Sequence, residues 1–171
     1  MNDAARADAS ADAHGNLSTY LNEHLLASEG GVKAFHAAAR TFEGTPHEQV
    51  LVALAEEVDR DRRDLAKIIQ QLGYRPKGWK RALTLLLRAG GSVNPVNLLR
   101  MRRSSMTQLE LDFLTGAVRG KLSMWQALIE LSATDSRFDR ALLDDLVRRS
   151  EHQIAEVQRI SHETVRERFA G

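Results

Sequence analysis

Between Val50 and Leu72 the apolar residues fall at helical spacing. Val50, Leu51, Leu54, Val58, Leu65, Ile68, Ile69 and Leu72 line one side, and charged or amide residues fill most positions between. A repeat of about 3.6 residues is the pattern of a helix with one buried face. Thr45 and Glu48 have capping-box spacing, with Pro46 at the first helical position, where its fixed φ and missing N–H do no harm. Gly73 follows the run and predicts its end. The stretch from Leu17 to Phe42 repeats this logic and closes at Gly44. A third helix is predicted from about Ser105, with Gln108 at capping-box spacing, to about Ser132. A fourth begins within Thr134–Leu143 and reaches about Phe169 on a stripe of Leu143, Leu146, Val147, Ile154, Val157 and Ile160.

The connections predict how these helices are arranged. Gly44-Thr45 and Ala133-Thr134-Asp135 are tight, which makes two antiparallel hairpins. The link from Tyr74 to Ser104 is far longer and lets the third helix run parallel to the second. The expected fold is all-α: a four-helix bundle in up-down-down-up order, with one long crossover over 74–104. Within that crossover "KGWKRALTLLLRAGG" patterns as a short helix, broken by "GGSVNP". Residues 16–171 form the expected domain, and the Ala/Asp-rich residues 1–15 read as a disordered tail.

The phrases "LNEHLLASEGGVKAF", "LAEEVDRDRRDLAKIIQQLG" and "FLTGAVRGKLSMWQALIEL" resemble the ferritin-like superfamily, over roughly Leu17 to Arg168. Metal-binding members of that superfamily supply a Glu from the first and third helices and Glu-x-x-His from the second and fourth. Residues three apart share a helix face, so both side chains of the motif reach ions in the bundle core. Here the residues three before the six histidines are Ala11, Leu21, Lys33, Gly44, Arg149 and Arg159. None is acidic, so the motif is absent. This is a ferritin-like texture without the di-metal ligands.

Composition narrows the chemistry further. With no cysteine among 171 residues, thiol nucleophiles, thiolate metal sites and disulfides drop out together. The start carries acids and no apolar run, so neither a signal peptide nor an anchor is expected, and a cytoplasmic location follows. No phosphate-binding glycine loop and no nucleophile–base motif is present.

Asp61 lies between Val58 and Leu65 on the second helix's apolar stripe. Lys121 lies among Leu114, Val118, Leu122 and Trp125 on the third. With Ser28 and Ser150, they fall near the midpoints of their helices, which meet in a bundle. A buried, unpaired carboxylate costs several kcal/mol, so an Asp61–Lys121 ion pair is expected, with the serine hydroxyls completing its hydrogen bonds. The competing reading is an atypical iron or manganese site made of His24, Glu57, Asp61 and Glu110. A lysine at its centre argues against it, because a cation repels the metal. The other charges near Asp61 (Glu56, Asp59, Arg60, Arg63) fit an exposed face.

From Leu65 to Leu109 there is no acid, while Lys67, Arg75, Lys77, Lys80, Arg81, Arg88, Arg100, Arg102 and Arg103 give +9; the chain's net charge is +1, so the rest carries −8. Such asymmetry bears on partners rather than on fold. The plainest reading is a crossover helix packed on the bundle, its basic face complementing the acidic remainder or a second subunit; the alternative is a patch for an anionic membrane surface or an acidic protein as partner. Nucleic acid is disfavoured, because aromatics are few and Trp79 alone could stack on a base. The apolar and basic crossover is also compatible with a homodimer. The expected function is a non-catalytic binding or assembly module without cofactor. The alternative is a metal-dependent oxidase or iron-handling protein.

Overall fold

The computed structural model describes residues 3–75 and 104–170. These residues form four helices: α1 (Asp3–Thr41), α2 (Glu48–Gln71), α3 (Ser104–Ser132) and α4 (Arg140–Phe169). Among the described residues there is no strand, and no helix is long and apolar enough to cross a membrane. The expected crossover lies outside the described residues, apart from its first two, Tyr74 and Arg75.

The helix ends follow from local chemistry. Gly44 and Gly73 adopt φ of +78° and +77°, which a residue with a Cβ adopts only under strain. At the start of α2 the expected box is displaced. The His47 N–H donates to Thr45 Oγ1 at 3.3 Å, but Glu48 reaches back to the Gly44 N–H at 2.8 Å rather than to that of Thr45. Both side chains still satisfy amides that a helix start leaves free, and the first helical residue becomes Glu48. Asp139 caps α4 by accepting the Leu142 N–H at 3.2 Å. Residues 3–15 are helical here, where a disordered tail was expected. Six of those residues are alanine, the best helix former, and His14 Nδ1 is tied to the Tyr74 hydroxyl at 2.8 Å.

α1 packs along α2 and α3 along α4, and the two pairs meet through α1 against α3 and α2 against α4. The core divides into two clusters. One joins Phe35, Ala38 and Phe42 of α1, Leu51, Leu54 and Val58 of α2, Leu111, Leu114 and Val118 of α3, and Ile154, Val157 and Ile160 of α4. The other joins Leu21, then Leu65, Ile68, Ile69 and Leu72, then Met124, Trp125 and Leu128, and finally Phe138, Leu143 and Leu146. Each fully buried aliphatic side chain contributes roughly 1.5–3 kcal/mol. Along each of α2, α3 and α4, the polar residues Asp61, Lys121 and Ser150 fall between the two clusters.

Candidate functional site: a charge cluster at mid-bundle

Asp61 sits on the apolar side of α2, one turn from Val58 and one from Leu65, so helix periodicity alone drives its carboxylate inward. It is fully buried. Lys121 Nζ approaches Asp61 Oδ2 at 2.5 Å and donates to Gln153 Oε1 at 2.6 Å. The Gln153 amide turns its nitrogen back, to Asp61 Oδ2 at 3.1 Å and Glu57 Oε2 at 3.3 Å. Gln153 thus accepts from the cation and donates to both acids.

Arg149, one turn before Gln153 on α4, supplies a second cation. Its Nη1 lies 2.7 Å from Asp61 Oδ1, its Nη2 2.9 Å from Asp64 Oδ2 and its Nε 3.0 Å from Asp145 Oδ2. The Asp64 contact is a directed hydrogen bond. Asp61 Oδ1 and Arg149 Nε make no well-aligned hydrogen bond, so the other two contacts are close ion pairs with off-axis geometry. At such short range the attraction survives the poor angle, because the surroundings exclude most of the water that would screen it.

The chain of charges runs from core to surface: the Lys121 and Arg149 side chains are 13% and 17% exposed, and Asp145 is 46% exposed. Burial pulls the Lys121 ammonium below its ordinary pKa, against the opposing pull of Asp61. Burial also acts against the Arg149 charge, but hydrogen bonding and attraction from Asp64, Asp61 and Asp145 raise its pKa overall. For Asp64, burial is the largest single influence and works upward. Arg149 and Lys67 outweigh it and hold the carboxyl low. Asp61 lies against two cations, Lys121 and Arg149, and with all groups ionised the wider cluster of Glu57, Asp61, Asp64, Asp145, Lys121 and Arg149 sums to −2. The buried carboxylate is therefore neutralised by protein cations.

The two serines do not serve this cluster. Ser150 Oγ donates to Leu146 O of its own helix at 2.8 Å, and Ser28 Oγ bonds the Leu25 carbonyl. Within a helix a short hydroxyl reaches the carbonyl one turn back, which accepts it in addition to its helical N–H. Gln153 and Arg149 have the reach that serine lacks. Arg149 was missed in the sequence because a guanidinium beside a stripe usually points to water. Here its stem lies along the bundle and its head turns inward.

The structure brings Glu57 and Asp61 together through Gln153, but not His24 and Glu110. His24 is half-buried, edge-on to Tyr20 at 4.7 Å, and burial lowers its pKa. Glu110 is half-buried, facing Thr41 and Arg40, and burial raises its pKa. Among the described residues no three His, Asp or Glu side chains are placed to share a metal ion. Of the basic segment, Arg75 is described and exposed, and its carbonyl accepts from Asn22 Nδ2 at 3.4 Å. Lys77, Lys80, Arg81, Arg88, Arg100, Arg102 and Arg103 lie outside the described residues.

No protein-family model, no curated protein and no solved structure matches this chain.

Proposed function

We propose that this chain is a non-catalytic binding or assembly module, a four-helix bundle whose midsection is held by charge instead of metal. The carrying observation is the pairing of Asp61 with both Lys121 and Arg149, at 2.5 and 2.7 Å. Two cations at the centre of a bundle repel a divalent ion, and they already occupy the one fully buried carboxylate among the described residues. The proposed order is up-down-down-up, as in ferritin-like bundles. Its support is that the first halves of α2 and α3 share one cluster with the second halves of α1 and α4, so α2 and α3 run the same way. The basic segment Arg75–Arg103 is the proposed surface for an anionic membrane or an acidic protein, supported by the absence of any acid from Leu65 to Leu109.

Elemental analysis of protein purified without an affinity tag tests the first part. The expected result is iron and manganese far below one per chain. Near-stoichiometric metal would overturn it in favour of an oxidase or iron-handling protein.

The second part is tested by sedimentation with vesicles rich in anionic lipid and with a polyacidic protein. Wild type should bind one of them at low salt and release it at high salt, since exposed charges are screened over roughly 10 Å at 0.1 M. Changing Lys80, Arg81 and Arg88 together to Glu should abolish binding. No binding to either by wild type at low salt would refute this role.

A further inference from the structure

α3 carries an apolar face that the bundle does not use. Leu109 and Phe113 are 56% and 61% exposed, and Leu131 is 39% exposed. Between them Gly116, Gly120, Ser123 and Ala127 lie on the same line of the helix and are also exposed. From Leu109 to Ala127 the spacing alternates four and three residues, and Leu131 follows four residues on, so one stripe follows the helix. A Cβ built on Gly116 or Gly120 meets nothing within 4 Å, so glycine there is not required by the fold of this chain.

We propose that this face pairs with the same face of a second copy, two α3 helices crossing antiparallel at Gly116. The pattern supports a self-complementary contact of the kind a two-fold axis demands. With the two Gly116 together, Phe113 lies over the partner's Gly120, and Leu109 over the partner's Ser123. A large side chain meets a small one at each step, and the glycines let the backbones approach. Charge agrees with this register. Asp112 and Arg119, both exposed, are two turns apart on one flank of the stripe. The crossing sets Asp112 opposite the partner's Arg119, once on each side of the axis. A foreign partner would have no reason to match this internal spacing.

The overlap from Leu109 to Ser123 is about 21 Å long at 1.5 Å per residue. A helix-wide strip of that length buries a few hundred Å² per copy, less than the roughly 800 Å² per partner of a standard interface. The dimer is therefore weak and reversible, with a dissociation constant on the order of 0.1 mM. This inference deepens the assembly reading. It is independent of the metal measurement, so the two fail separately.

The absence of cysteine from the sequence makes a direct test available. Full-length Gly116→Cys should cross-link through a disulfide under mild oxidation, because the bond needs Cα atoms within about 7 Å. Glu151→Cys, exposed on α4, reports random collision, and Gly116→Cys should form dimers at least roughly tenfold faster. Sedimentation equilibrium supplies the second measurement. Phe113→Ser, Asp112→Arg and Arg119→Asp should each weaken wild-type association by roughly tenfold. The double exchange Asp112→Arg with Arg119→Asp should restore it. A monomer at every concentration would overturn the proposal. So would equal cross-linking at the two positions, or a dimer that ignores Phe113→Ser and the charge exchange. Circular dichroism confirms that each variant is folded, as expected for exposed positions.

Discussion

Asp61→Ala is expected to destabilise the fold by about 3–5 kcal/mol, and Lys121→Ala by distinctly less. The difference comes from Arg149. When Lys121 is removed, Asp61 keeps a guanidinium 2.7 Å away, so its charge stays compensated. When Asp61 is removed, Arg149 retains Asp64 and Asp145, but Lys121 is left largely buried with only the neutral amide of Gln153 in direct contact. Replacing both partners by apolar residues of similar volume, as in Asp61→Leu with Lys121→Met, should cost less than Asp61→Leu alone, since no orphaned charge remains. Urea denaturation of the four variants measures these differences, provided the m-values agree. A loss below about 1 kcal/mol for Asp61→Ala would mean the cluster is effectively solvated.

The second large effect lies deeper in the core. Trp125 is fully buried in the cluster with Leu65, Ile69, Leu128 and Leu146, so Trp125→Ala should cost about 3–5 kcal/mol through lost contacts and the cavity left behind. Trp125→Phe should be much milder. Among the described residues the buried indole Nε1 has no acceptor, so its removal forfeits no hydrogen bond there and relieves a desolvated donor. If Phe proves as damaging as Ala, the indole nitrogen has a partner after all.

Much of the architecture was legible from spacing. The stripes Leu51–Leu72 and Leu143–Ile160 name most of the residues that α2 and α4 bury, because burial of one face imposes the helical repeat on the sequence. Tight links at Gly44 and Ala133 foretold the two helix pairs. The start of α1 was not legible. The Ala/Asp alternation before Leu17 has no apolar stripe, and its helix is carried by alanine propensity and the His14–Tyr74 contact, which joins residues sixty positions apart.

At the bundle centre, Asp61 and Lys121 stood out because they break an apolar stripe. Arg149 did not, since it breaks no stripe: it lies beside one and reaches in with a long side chain. A helix wheel assigns a residue to a sector, but it carries no information on how far a flexible side chain bends back. The serines misled for the opposite reason, being in the right sector with no reach. No histidine has an acid three residues before it, so the Glu-x-x-His spacing is absent from the sequence; the placement of the crossover's positive charge is set by tertiary packing rather than by periodicity.

The chain of ion pairs through Arg149 also bears on how the two helix pairs find each other. A core of leucine, alanine and valine tolerates sliding, because one apolar side chain replaces another at each level with modest loss. Asp61, Lys121 and Arg149 do not slide. Displacement of α2 by a single turn, about 5.4 Å, would carry the carboxylate away from both cations and into hydrocarbon, leaving Asp61 and Lys121 uncompensated while Arg149 keeps only Asp145 of its own helix. Each such charge costs several kcal/mol, as much as a large part of the stability of a typical domain. The charges thus act as a vernier for assembly, making near-miss alignments costly while adding little to the native state's margin over the unfolded chain.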